Sequence, residues 1–239
     1  MTTALSSRRP RAIVSWSSGK DSAWALETVR RAGVFEVVGL LTTVTDRYAR
    51  VSMHGVREEI LDLQAARTGL ACLKVKIPPR CTNAVYEDAI GKALAEARRA
   101  DVTHVVFGDL FLEDVRRYRE RLLDGSGIEP VFPLWGHDTR KLAREMIAAG
   151  LEAALVCLDL KALPRCFAGR RFDACLLEEL PASVDPCGEN GEFHTCVTAG
   201  PMFDGALGVR AGEIVEREGF IFADLLVELT GGLGLAFAN

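Results

Sequence analysis

The sequence predicts an α/β protein built on a doubly wound parallel sheet, and three observations predict it. Apolar runs of β type alternate with helical patterns through the first two-thirds of the chain. Those runs are apolar at successive positions rather than at every second one, as expected of strands buried on both faces. Glycines stand just past helical stretches, at Gly33 and Gly69, where a left-handed residue ends a helix. The 239 residues are 49% hydrophobic and 26% charged, an ordinary globular composition with the length of one large domain or two small ones.

Taken in order, Arg11–Ser15 reads as the first strand and Asp21–Arg31 as the helix after it. Phe35–Thr43 is a strand, Val56–Thr68 a helix, and Ala71–Ile77 a strand stopped by Pro78-Pro79. Asn83 can cap a helix reaching Ala100, and Val102–Phe107 is a strand ending at Gly108-Asp109. Glu113–Leu123 is helical and Glu129–Phe132 a short strand. Near Pro133 the character shifts, which divides the chain into residues 1–133 and a smaller α+β region, residues 134–239. There Thr139 can cap a helix through Ala149, Ala153–Leu158 is a buried strand, and Asp173–Leu180 is a short helix. Leu207–Glu228 reads as antiparallel β interrupted by Gly212 and Gly219.

The net charge of −4 is unevenly placed. Residues 1–133 carry 20 Lys and Arg against 17 Asp and Glu, and residues 134–239 carry 9 against 16. No basic stripe marks a nucleic-acid surface, so nucleic acid is not an expected partner. Apolar runs are far too short to span a membrane and no signal peptide is evident, so the expected location is the cytoplasm. The seven cysteines show no C-x-x-C pair, which argues against a zinc ribbon or a dithiol centre and for free, mostly buried thiols.

The first strand runs directly into Ser17-Ser18-Gly19-Lys20-Asp21-Ser22, which opens a helix. Small residues there let backbone N–H groups approach an anion, and the helix N-terminus adds partial positive charge. Lys20 supplies a point charge, and the hydroxyls of Ser17, Ser18 and Ser22 can donate to phosphate. The loop is not a Walker A sequence, because Val14 stands where that pattern needs its first glycine. Asp21 can bind Mg²⁺ beside the phosphates or cap the helix.

Ser17–Ser22 resembles the PP-loop, S-G-G-x-D-S, of the N-type ATP pyrophosphatases. Gly108-Asp109, Arg117-Tyr118-Arg119, Pro133-Leu134-Trp135-Gly136 and Gly188-Glu-Asn-Gly-Glu-Phe-His-Thr195 narrow the resemblance to the diphthine–ammonia ligase family and its bacterial relatives. These motifs cover the chain from residue 12 to about 203, and the last is the most specific. Ser18 departs from the pattern, standing where the family has a glycine. The resemblance implies a Rossmann-like PP-loop domain with a smaller C-terminal domain. It also implies a reaction: ATP is split between the α and β phosphates, a carboxylate becomes an acyl-adenylate, and ammonia or an amine displaces AMP. ATP and Mg²⁺ are the expected cofactors. The acceptor is a small-molecule or modified-protein carboxylate, diphthine on elongation factor two in the named family, and a homodimer is among the expected assemblies.

Further candidates follow from position. Thr42 and Thr43 end the second strand, where open α/β sheets bind ligands, and the resemblance places adenine near them. Gly108 and Asp109 end another strand beside the same crevice. Arg116, Arg117, Arg119 and Arg121 share one helix, and a solvated face paired with Glu120 and Asp124 accounts for most of them. Arg119 and Tyr118 are the pair expected at substrate or phosphate, and His54 and Arg57 lie in a segment that faces substrate in the family. Gly188, Glu189, Asn190, Gly191, Glu192 and Thr195 are the expected acceptor side of the site, with Glu189, Glu192 and His194 able to move a proton or hold a cation. The same segment can instead be a hairpin or an interface buttress in which Glu192 bonds backbone. Two other functions share the PP-loop: ATP binding or hydrolysis without ligation, and tRNA modification.

Overall fold

The computed structural model describes residues 8–46, 50, 51 and 55–228. In chain order these form β1 (Arg11–Ser15), α1 (Lys20–Ala32), β2 (Glu36–Thr45), β3 (Arg50–Val51), α2 (Glu58–Thr68), β4 (Ala71–Ile77), α3 (Asn83–Arg99), β5 (Val102–Val106), α4 (Glu113–Leu123) and β6 (Glu129–Val131). Then come α5 (Thr139–Ala148), β7 (Glu152–Asp159), α6 (Ala174–Glu179), β8 (Phe193–Ala199), β9 (Val209–Arg217) and β10 (Phe220–Val227).

Five strands make a parallel sheet in the order β4-β2-β1-β5-β6, and the two-residue β3 adds antiparallel to the end of β2. The chain winds outward from β1 through β2 to β4, then returns to the other side of β1 for β5 and β6. The order therefore reverses between β1 and β5, the place where open α/β sheets leave a crevice at their carboxyl edge. A second sheet, β8-β7-β10-β9, is antiparallel.

Alternation along β1 explains the layers. Ala12 and Val14 point to a core shared with α1, α2, α5 and the second sheet, whereas Ile13 points to a core made with α3, β4, β5 and Leu123 of α4. Both faces of β1 are thus covered, as its unbroken apolar run requires. Gly33 and Gly69 are left-handed caps at φ 65° and 70°. Two caps differ from expectation by one residue. Thr82 rather than Asn83 accepts from Val85 N, and Asp138 rather than Thr139 accepts from Lys141 N. The larger difference is β8: the stretch from Phe193 is a strand against β7, with Cys157 paired to His194, in a region where the sequence reading places no strand. No helix among the described residues is long and apolar enough to cross a membrane. All seven cysteines are free, but only Cys157, Cys187 and Cys196 are buried, fewer than expected.

Candidate functional site

The loop from β1 to α1 is fixed by its own side chains and by the second sheet. Ser22 Oγ donates to Gly19 O at 3.0 Å and lies 3.2 Å from Ser17 Oγ, closing the loop on itself. Thr195 Oγ1 of β8 accepts from Lys20 N at 3.1 Å, and Val197 N donates to Ser18 O at 2.9 Å. Ser18 is fully buried at φ 70°, the left-handed region that glycine adopts without cost. That backbone conformation is the physical reason a glycine suits the position, and here a serine is held in it.

Gln64 does much of the holding. Its side-chain amide donates to Ser18 O at 3.1 Å and Val197 O at 2.8 Å, and its oxygen accepts from Trp16 Nε1 at 3.0 Å. It was not among the residues expected at the site. The signal was its register: with Ile60, Leu61, Ala65 and Thr68 it forms the buried face of α2, and a polar residue there must find partners.

Two cavities meet at the carboxyl edge of the parallel sheet. The larger, about 490 Å³, is mostly apolar and is lined by residues such as Thr43, Tyr86, Ile90 and Tyr118. The smaller, about 220 Å³, lies between the loop and the second sheet, with Ser17, Lys20–Ser22, Asp109 and Glu189 in its wall. Ser15, Ser17, Phe107 and Arg119 line both. Gly108, Gly188, His194 and Thr195 also line the smaller one. The loop and the 188–195 segment, 170 residues apart in sequence, therefore wall one cavity.

Lys20 is 2% exposed, and its ammonium contacts Asp21 Oδ1 and Oδ2 at 3.0 and 2.8 Å and the Cys187 carbonyl. The rings of Phe172 and Phe193 lie 5.5 Å from it. Burial, the largest single influence, pulls its pKa down, but Asp21, Cys187 and Glu189 together raise it overall and keep Lys20 charged. Asp21 is raised by burial, with Lys20 opposing. Glu189 reaches the parallel-sheet half, where Oε1 accepts from Leu110 N at 2.7 Å. Burial, with the nearby Asp21 and Asp109 charges, raises it to about 7. His194 is held down at about 4 by burial and by the Lys20 charge, so its ring is neutral at pH 7.

These last two shifts pull stability in opposite directions over one pH range. The folded Glu189 holds a proton that the unfolded chain releases, so its contribution is lost as pH rises from 4.5 to about 7. The folded His194 stays neutral where the unfolded chain protonates, so its contribution is lost as pH falls from 6.5 to about 4. Glu189→Gln should leave stability rising with pH through this range, and His194→Asn should leave it falling. Urea unfolding between pH 4 and 7 checks this, and equal slopes in both variants would refute it.

Several expected residues stand elsewhere. Glu192 Oε1 accepts from Asp185 N at 2.9 Å and Asn190 Nδ2 at 3.0 Å, so Glu192 and Asn190 brace their own loop rather than face the cavity. Gly191 allows the turn there at φ 88°. Asp185, which the sequence did not single out, ties the loop together by accepting from Thr139 Oγ1, Cys187 N and Glu189 N. Arg57 is spent on Asp224 of β10, with contacts of 2.7–3.1 Å, because the start of α2 packs against the second sheet. Thr42 is buried and donates to Trp16 O at 2.8 Å, leaving only Thr43 on the cavity. His54 lies outside the described residues. Arg117 pairs with Glu113 on a solvated face; Arg116 pairs with Glu120 and lies over the Phe132 and Trp135 rings, and Arg119 turns inward beside Asp109.

A parallel sheet with a buried serine–glycine loop at the switch point defines a PP-loop protein of Rossmann-like fold. The chain belongs to the diphthamide synthase family: the model of that family's N-terminal domain matches residues 10–130, and that of its C-terminal domain residues 138–226. It is similar to the diphthine–ammonia ligases of human, rat and fission yeast. Identity to the human protein is 25% over 230 residues, which is 87% of this chain and 85% of the human protein. For the rat protein it is 27% over 166 residues, 67% of this chain and 62% of the relative. For the Schizosaccharomyces pombe protein it is 28% over 121 residues, 49% of this chain and a match spanning 20% of that relative.

Proposed function

We propose that the protein is an ATP-dependent ligase that activates a carboxylate as an acyl-adenylate and transfers it to ammonia or an amine. Residues 1–133 bind the nucleotide and residues 134–239 bind the acceptor. The observation that carries this reading is the smaller cavity, where the loop from β1 and the 188–195 segment meet around a carboxyl group that titrates near 7. The apolar cavity suits an adenine ring and the loop suits phosphates. The names of the relatives supply diphthine and ammonia as the first acceptor pair to try.

The acceptor carboxylate attacks the α-phosphorus, the bond to the β-phosphate breaks, and pyrophosphate leaves. Ser17, Ser22 and the start of α1 hold the phosphates, and the fixed charge of Lys20 lies beside them. Glu189 takes a proton from ammonium, and the resulting ammonia attacks the acyl carbon as AMP departs. Neutral His194 is too weakly basic for that step and is assigned an orienting role. Mg²⁺ fits as an ion carried with the phosphates, since it keeps most of its waters and takes one or two carboxylates. Asp21 would hold it, having lone pairs beyond its contacts with Lys20, and the ion would neutralise phosphate charge. Among the described residues no group of three or more His, Cys, Asp or Glu could form a metal cage.

Thiol transfer to tRNA fits less well, because burial pushes Cys196 up to about 12 and raises Cys187 as well. Separation of the nucleotide products formed with diphthine-bearing elongation factor two and ammonium tests the reading. AMP and pyrophosphate are expected; ADP and orthophosphate as the only products would overturn it.

A further inference from the structure

Gln64 lines neither cavity, yet it is fully buried with every donor and acceptor of its side chain engaged. What it holds is one peptide group of the loop. Ser18 O accepts from Gln64 Nε2 at 3.1 Å and from Val197 N at 2.9 Å. The Ser18–Gly19 peptide is trans, so its C=O and N–H lie on opposite edges. With the carbonyl anchored toward α2 and β8, the Gly19 N–H is turned the other way, where it donates to Ser17 Oγ at 3.4 Å. Ser17 lines both cavities, and its hydroxyl, accepting from Gly19, keeps its own proton to donate. The anchor is needed because Ser18 has φ 70°, a conformation costly to an L-residue with a side chain and free to glycine. Ser18 Oγ is buried with no hydrogen-bond partner, so it does nothing to hold the residue there. The restraint comes from outside the loop.

We propose that Gln64 is a positioning residue for the nucleotide, clamping the Ser18–Gly19 peptide in the orientation that presents the Ser17 hydroxyl to phosphate. The inference rests on the nucleotide reading above and adds to it a residue, remote from the cavity walls, that sets ATP affinity. A glycine at residue 18 would take the left-handed conformation unaided. Serine depends on the two donors to its carbonyl, one from Gln64 and one from β8. Loss of Gln64 therefore lets the serine leave that conformation, the Ser18–Gly19 peptide turns, and Ser17 loses the donor that orients it.

Calorimetric titration of full chains with ATP tests this, with folding followed by circular dichroism and thermal unfolding. Gln64→Met keeps the length of the side chain and loses its hydrogen bonds. Gln64→Glu keeps an oxygen that can accept from Trp16 and loses the donors to Ser18 and Val197. Each is made alone and together with Ser18→Gly. ATP affinity is expected to fall about five- to thirtyfold in either Gln64 variant, the factor set by the cost of a left-handed L-residue. Adding Ser18→Gly should return most of that loss, because glycine pays no such cost. A residue that merely fills the core would lower the unfolding temperature and leave the affinity of the folded chain unchanged. Native ATP affinity in a folded Gln64 variant therefore overturns the inference and leaves the nucleotide reading intact. An affinity loss that Ser18→Gly does not relieve overturns it too, as does failure of both variants to fold in either background. No ATP binding by the native chain overturns both readings.

Discussion

Gly108→Ala is expected to lower ATP affinity at least tenfold and to cost about 1–3 kcal/mol of stability, the range for inserting a methyl group into a packed site. The methyl carbon would lie 2.7 Å from the Asp21 carbonyl carbon and 2.8 Å from Asp21 O and Ser22 N. All three are backbone atoms in the first turn of α1, so no side chain can swing aside. Either α1 moves off the end of β5 or the Gly108 backbone shifts, and both change the loop that the nucleotide is proposed to occupy. Gly191→Ala is the control. Gly191 also has positive φ, at 88°, but nothing lies within 4 Å of the added carbon and the residue is not in the wall of either cavity. That variant should lose about 1 kcal/mol from backbone strain and bind ATP normally. Calorimetry and thermal unfolding separate the two effects. Native ATP affinity in Gly108→Ala would place the nucleotide away from this loop.

The parallel half of the fold was legible because its strands are apolar on both faces and its helices carry glycine caps at Gly33 and Gly69. β8 was harder to read. Its residues, Phe193 to Ala199, mix His and Thr with apolar side chains, because one edge of the strand packs on the loop after β1 rather than on another strand. The loop itself was visible as a strand running into small residues and a helix. What holds it was not: Gln64 and Thr195 act across 46 and 175 residues of sequence, and no local pattern encodes that pairing. The same holds for residues expected to face substrate. Arg57 and Glu192 have the chemistry of a binding site, but each meets a closer partner, Asp224 in one case and its own loop in the other. Of the residues in the 188–195 motif, Glu189 alone combines a place in the cavity wall, a carboxylate and a backbone contact to the other half of the chain.

Glu189→Gln is therefore expected to have the largest effect on turnover, a loss of about 10²–10⁴-fold, the usual contribution of a general base. Gln is close in volume, and its carbonyl can still accept from Leu110 N, so the link between the two halves survives. What it cannot do is take a proton. With Glu189 at about 7, roughly half of the native molecules carry the free carboxylate at neutral pH. The native rate should fall tenfold per pH unit well below that value, as protonation removes the base. In Glu189→Gln the remaining rate should lose this acid limb, because the group that titrates is gone. ATP affinity should stay near native, since the proposed phosphate site is the loop and not this side chain. Glu192→Gln offers the contrast. The Oε1 of Glu192 accepts from Asp185 N and Asn190 Nδ2, bonds that a Gln carbonyl can still accept, so Glu192→Gln should keep both near-native stability and the pH profile of the native protein. Rates of AMP formation between pH 5 and 9, measured for the native chain and both variants, decide the matter. An acid limb that persists in Glu189→Gln would assign the proton to another group, and an acid limb lost in Glu192→Gln instead would move the base to Glu192.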